Sequence, residues 1–130
     1  MQNTEVKMPV SKKIDYRIAL VGNPNVGKSV LFGLLTGKYV TVSNYPGTTV
    51  EVSRGMYVGS NETVEVIDTP GANSLISHSE DERVARDILL RDEEKKIIQI
   101  IDSKNIQRGL LITTQLAEMG LPVSIGLNMW

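Results

Sequence analysis

An apolar tetrad, Ile18-Ala19-Leu20-Val21, runs straight into GNPNVGKS, residues 22 to 29, and then into the apolar stretch Val30-Leu31-Phe32. A continuous apolar run of this length suits a strand covered on both faces. Ending it on glycine, just before a lysine that opens new apolar sequence, predicts strand, tight turn and helix in immediate succession. A strand buried on both faces requires helices on either side of its sheet, so this junction commits the chain to an α/β layered architecture.

The rest of the sequence follows the same alternation. From Lys28 a helix is expected with Val30, Leu31, Leu34 and Leu35 facing inward and Gly37 as its C-terminal cap. VEVSRGMYV (50–58) and TVEVI (63–67), joined by GSNE, predict an antiparallel hairpin. Ser79 followed by Glu82 has the spacing of a capping box, opening a helix to about Leu90. KIIQII (96–101) reads as a second buried strand, Asn105 as the cap of a helix through Met119, and PVSIGLN (122–128) as a last strand after Gly120 and Pro122. The expected fold is α/β, a doubly wound and mostly parallel sheet with helices on both faces, whose ligands sit at the carboxyl ends of the strands. Residues 1–13 read as a loose polar tail and 14–130 as one domain, since 130 residues leave no room for a second core.

Composition narrows the function classes. Lys and Arg number 14 against 15 Asp and Glu, which argues against a surface built to coat nucleic acid or anionic membrane. There is no cysteine, so disulfides, thiolate metal sites and cysteine nucleophiles are excluded. No apolar run reaches the ~20 residues of a membrane-spanning helix, so the chain is expected to be soluble.

In this setting GNPNVGKS has a specific meaning. It fits G-x-x-x-x-G-K-[ST] and has the context that pattern needs, behind a buried strand and ahead of a helix. Gly22 and Gly27 permit the close approach by which several backbone N–H groups converge on phosphate oxygens, and the residues expected to line that contact run from Gly22 through Asn23, Pro24, Asn25, Val26 and Gly27 into the helix at Lys28, Ser29 and Val30. Lys28 is expected to bridge β- and γ-phosphates, and the Ser29 hydroxyl to hold Mg²⁺. IDTPG (67–71) adds Asp68 toward the Mg²⁺ shell and the Gly71 N–H toward a γ-phosphate. YVTVSNYPGTTVEV (39–52) is too polar and too rich in Gly and Pro for regular structure at its centre, where a loop is expected over the phosphate end, and Thr48 and Thr49 both have the chemistry to serve Mg²⁺ and γ-phosphate. Asn128, at the exit of the last strand, stands where a nucleotide base would be read.

Taken together, GNPNVGKSVLFGLLTG, VSNYPGTTVE, IDTPGANSL with SEDERVARDILL, and IDSKNIQRGLLITTQLAEMGLPVSIGLNMW resemble the cytoplasmic G domain of the ferrous-iron transport protein B (FeoB) family over residues 15 to 130. The resemblance implies GTP and GDP binding, slow GTP hydrolysis, and control of Fe²⁺ passage by a membrane domain elsewhere in the complete protein, at the cytoplasmic face of the bacterial inner membrane. It assigns phosphate and Mg²⁺ contacts to Lys28 and Ser29, the switch threonine to Thr49 rather than Thr48, and the second switch to Asp68 and Gly71. Asn25 matches an asparagine that helps hold K⁺ in potassium-stimulated relatives, where a cation stabilises charge between the phosphates.

Two departures from the pattern carry expectations. Ala72 stands where Ras-like enzymes orient water with glutamine, which implies slow turnover. The family continues N-M-x-D, whereas this sequence stops at Trp130; losing the charge-assisted bonds of that aspartate predicts tenfold or greater loss of affinity and much of the preference for guanine. The later helices and strand of a G domain are then missing too, so exposed apolar surface and self-association are expected. His78 reads as a solvated loop residue, and Glu80, Asp81 and Glu82 as first-turn acids favoured by the helix dipole rather than a metal cluster. RNA-acting GTPases of the TrmE/Era kind share the phosphate loop but call for a basic, aromatic-interleaved surface absent from this sequence. A non-enzymatic interaction module is the remaining alternative.

Overall fold

A computed structural model describes residues 13–37, 39–59, 61–76 and 78–128. The tail predicted over residues 1–13 therefore lies, but for Lys13, outside the described residues, as does Trp130. Within them the elements run β1 Tyr16–Gly22, α1 Lys28–Thr36, β2 Val40–Asn44, β3 Glu51–Val58, β4 Thr63–Asp68, α2 Glu80–Leu90, β5 Lys96–Asp102, α3 Ile106–Glu118 and β6 Val123–Asn128. No helix among the described residues is long and apolar enough to cross a membrane.

The strands form one six-stranded sheet in the order β2-β3-β4-β1-β5-β6. β1 pairs parallel with β4 and β5, β5 parallel with β6, and the β2-β3-β4 flank is antiparallel. Both faces are covered, as the apolar runs require. Alternate residues of β1 divide between them: Leu20 packs with Phe32 of α1, Val64 and Val66 on one face, while Ala19 and Val21 pack with Ala85 and Leu89 of α2 and Ile112 and Leu116 of α3 on the other. The registers Leu20 with Asp68, Gly22 with Ile100 and Asp102 with Asn128 align the carboxyl ends of the parallel strands along one rim.

Two local expectations are corrected and one strand is added. Val30 and Leu34 do not face inward; they are 69% and 79% exposed, while Phe32 and Thr36 are buried and Leu31 and Leu35 half-buried. At 100° per residue the buried stripe centres near Phe32, and positions 30 and 34 fall roughly 160° away from it. The segment 39–52 is irregular at its centre as expected, but its first part forms a strand not anticipated: Val40–Asn44 pairs with β3, its β-branched Val and Thr suiting an edge strand. Only Tyr45-Pro46-Gly47-Thr48 turns, with Pro46 second, Gly47 third at φ 79° and Thr48 N–H donating to Tyr45 O at 3.0 Å, the arrangement of a type II turn. Asn105 sits at the N-cap of α3 but its side chain makes no capping bond; Asp102 instead accepts from the Lys104 N–H at 2.9 Å.

The other boundaries fall where the residues place them. Gly37, at φ 60°, donates to Gly33 O to end α1. Gly120 and Leu121 close α3 by donating to Ala117 O and Leu116 O, the paired bonds of a Schellman motif, with Gly120 at φ 74°.

Candidate functional site

The site is built where β1 ends. Gly22 is required by packing: a Cβ there would lie 2.7 Å from Ile100 O on the neighbouring strand. The chain then turns through Asn25 at φ 65°, a left-handed conformation asparagine tolerates, and Gly27 at φ 87°, which leads into α1. The result is a bowl of about 420 Å³ lined by Asn23, Pro24, Asn25, Gly27, Lys28 and Ser29 from the loop, Val30 from α1, Gly71, and Asp81 of α2. The N-terminus of α1 opens into it, so unpaired amides and the positive end of the helix dipole face the same space.

Lys28 is 7% exposed and its ammonium is paired with the Asp68 carboxylate, with a further bond to Thr69 O at 2.6 Å. The second Asp68 oxygen accepts from the Ser29 hydroxyl at 3.3 Å. The fold thus brings together three predicted residues separated by some forty positions of sequence, a cation, a hydroxyl and a carboxylate at one point of the bowl. Gly71 packs against Pro24, where an added Cβ would come within 3.0 Å of Pro24 Cα.

Other predicted residues are placed differently. The Thr48 hydroxyl serves its own turn, donating to Tyr45 O at 2.9 Å and accepting from Val50 N–H at 3.0 Å. Thr49 is exposed, and its hydroxyl donates to Glu80 at 3.4 Å instead of meeting Ser29 and Asp68. The Asn23 side chain is 2% exposed and donates to Ala72 O at 3.0 Å. Val26 is buried, and its carbonyl accepts from the Asn128 side-chain amide at 3.1 Å, tying the end of β6 to the loop.

Sequence reading missed the residues that hold the segment after Gly71. Glu82 is 8% exposed, and its carboxylate accepts from the N–H groups of Asn73, Ser74 and His78 at 3.1, 3.2 and 3.1 Å. Burial alone pushes its carboxyl up, but the three N–H groups, aided by the His78 charge, outweigh that and hold it below the ordinary value of 4.5. Ser79 caps α2 as predicted, accepting from Glu82 N–H at 3.2 Å, while the Glu82 carboxylate reaches past the cap to the loop. Gln115 of α3, 4% exposed, accepts from Leu75 N–H at 2.7 Å and donates to the Ser74 hydroxyl at 2.8 Å. The capping-box spacing was the one local signal for Glu82; Gln115 had none.

The family model of ferrous iron transport protein B matches residues 16–130. The chain belongs to the ferrous iron transport protein B family. It is 45% identical over 105 residues to the Fe(2+) transporter FeoB of Methanocaldococcus jannaschii, covering 81% of this chain and 16% of that protein. It is 39% identical over 116 residues to the Salmonella typhimurium transporter, covering 86% of this chain and 15% of the relative. The chain therefore spans a small part of the length of these relatives. Among solved structures, the G domain of the T. maritima FeoB iron transporter matches with a TM-score of 0.80 and 39% identity, covering 86% of this chain and 70% of that one. A GDP-bound mutant of the S. thermophilus FeoB G domain matches with a TM-score of 0.80 and 45% identity, covering 88% of this chain and 44% of that one. The fold is that of a P-loop GTPase G domain, and family membership decides against the RNA-acting alternative.

Proposed function

We propose that this chain binds guanine nucleotide at the carboxyl rim of its sheet and hydrolyses GTP slowly, acting as the switch of a longer protein that passes Fe²⁺ through a membrane domain. The observation that carries the reading is the meeting of Lys28, Ser29 and Asp68 on a bowl fronted by the N-terminus of α1. A GDP-bound relative of the same fold supports guanine nucleotide as the ligand.

On binding, loop amides from Asn25 to Ser29 take phosphate oxygens, and Lys28 exchanges Asp68 and Thr69 O for the β- and γ-phosphates. Ser29 and Asp68 are hard oxygen donors 3.3 Å apart, a pair that fits Mg²⁺. When bound, Mg²⁺ neutralises charge on the β- and γ-phosphates. Thr49, released from Glu80, would add its hydroxyl to the residues holding the cation, and the Gly71 N–H would turn to the γ-phosphate, so that triphosphate fixes both segments. Asn25, exposed on the lip of the bowl, is suited to hold K⁺ beside the phosphates. Asn128 spends its amide N–H on Val26 O and offers its oxygen to the base. Water attacks the γ-phosphorus, and GDP and phosphate leave. Ala72 is 1% exposed and packed with Leu75, Ala85 and Leu89, so it cannot orient that water, which keeps turnover slow.

The test is a titration of labelled GTP, GDP and ATP, followed by single-turnover hydrolysis with Mg²⁺ in K⁺ and in Na⁺, beside Lys28→Ala. Guanine nucleotide bound by the wild type and lost in the variant, with slow phosphate release, is expected. No binding of any nucleotide would leave the chain as an interaction module.

A further inference from the structure

We propose that Arg108 of α3 is a positioning residue that braces the segment carrying Gly71 against the phosphate loop, and so sets how well the Gly71 N–H can respond to a third phosphate. The inference rests on the functional reading above. Its structural half stands independently.

Gly22 to Pro24 and Gly71 to Asn73 run side by side and are joined at successive depths. At the bottom, Ala72 N–H donates to Gly22 O at 3.0 Å, and the buried Asn23 amide donates to Ala72 O at 3.0 Å. Above them Gly71 packs on Pro24. At the surface, the Arg108 guanidinium spans the two segments, one nitrogen donating to Pro24 O at 3.4 Å and another to Asn73 Oδ1 at 3.1 Å. A planar fork with donors on separate nitrogens is suited to holding two acceptors at fixed separation; an ammonium is not.

The fork has a firm base. Gly109, the next residue, brings α3 so close to β5 that an added Cβ would lie 2.9 Å from Ile101. Gln99, fully buried on β5, donates to Gly109 O at 2.7 Å. Arg108 therefore projects from a turn of the helix that is seated tightly on β5. The joints at Asn23, Gln115 and Glu82 are buried and belong to the fold, whereas the Arg108 bonds are exposed and can be made or broken without opening the core. Losing them releases the Asn73 side chain and the outer link between the phosphate loop and the segment carrying Gly71, while the Asn73 N–H stays on Glu82.

The experiment compares wild type, Arg108→Ala, Arg108→Lys, Asn73→Ala and the Arg108→Ala/Asn73→Ala pair. Amide hydrogen exchange is read on the nucleotide-free chain, and affinities are measured for GDP and a non-hydrolysable GTP analogue. In R108A, exchange at residues 71–74 is expected to rise about fivefold, the worth of roughly one net hydrogen bond, with α1 and β5 unchanged. The ratio of triphosphate to diphosphate affinity falls by a similar factor while GDP affinity holds within about twofold. R108K recovers less than half of either effect, and the double variant adds less than the sum of the singles. Unchanged exchange at 71–74, full recovery in R108K, or equal losses for both nucleotides would overturn the brace. A wild type that binds no guanine nucleotide sinks the functional reading instead, and exchange alone then decides whether Arg108 joins the two segments.

Discussion

Replacing Glu82 by glutamine isolates what its charge does, because shape and volume are nearly kept. The carboxylate accepts three N–H bonds, from Asn73, Ser74 and His78, on two oxygens. Glutamine presents one acceptor oxygen and one donating NH₂ group, and the latter must face at least one N–H. Bonds to a buried carboxylate contribute ~1.5 to 3 kcal/mol each, so losing one outright and weakening the others should cost about 2 to 4 kcal/mol. That is a large share of the ~5 to 15 kcal/mol available to a domain. For a chain of this length it corresponds to a fall in Tm of roughly 7 to 15 °C.

The pH dependence supplies a second check. The folded carboxyl lies below 4.5, so Glu82 contributes stability that is fully present above that value and is lost as pH falls through the folded value. Thermal melts followed by circular dichroism, at pH 7 and stepwise down from pH 5, should show wild type losing stability on acidification and Glu82→Gln losing less of it. The gap between the two then narrows as pH falls. A variant within ~2 °C of wild type at pH 7, or a gap that stays constant into acid, would show that the three bonds contribute little and that the loop is held by something else.

Other outcomes follow from the same geometry. Ala72→Gln, which would install the residue that orients water in Ras-like enzymes, should fail to raise single-turnover hydrolysis and should destabilise by about 1 to 3 kcal/mol in a denaturant titration, because position 72 faces the core among Leu75, Ala85 and Leu89. Asp81→Asn removes a negative charge lining the bowl, so fluorescence titration should give GTP affinity about two- to fivefold tighter at low salt, the gain fading near 1 M salt. Val30→Ser with Leu34→Ser should leave the melting transition nearly unchanged, since both are exposed, while reducing concentration-dependent association in sedimentation.

What could be read beforehand divides by the range of the interactions. Gly22 to Ser29 and Asp68 to Gly71 were legible because a phosphate loop is specified by consecutive residues and by its strand and helix neighbours. The hairpin 51–68, the Ser79 cap and the Gly120 termination were legible for the same reason. Val30 and Leu34 misled because an apolar residue signals burial only through its phase, and KSVLFGLLT offers apolar residues on nearly every side. β2 was hidden because its polar Thr41, Ser43 and Asn44 are tolerated at a sheet edge, with partners supplied by β3 and not by its own sequence. Glu82 illustrates the sharper limit. As a first-turn acid it had a sufficient local explanation, yet its burial and its bonds to Asn73 and Ser74 arise only when the segment after Gly71 meets α2. Gln115 and Arg108 meet residues 35 to 84 positions away, and nothing in their neighbourhoods marks them.

The pairing of Lys28 with Asp68 links these levels. A lysine this buried needs a counter-charge, and removing one partner of a buried ion pair costs roughly 3 to 5 kcal/mol. Asp68 supplies that charge from the carboxyl end of β4, in register with Leu20 just ahead of the loop. A polyphosphate can replace it, because its oxygens offer Lys28 the same charge with more acceptors. On the proposed function, Asp68 would then be free to serve a cation accompanying the phosphates, beside the Ser29 hydroxyl that already touches it. One exchange of partners would thus satisfy the lysine, present a carboxylate to the cation, and release the start of the segment that leads to Gly71. The loop does not have to be empty and strained before any ligand arrives, because its lysine and hydroxyl already hold the carboxylate of Asp68.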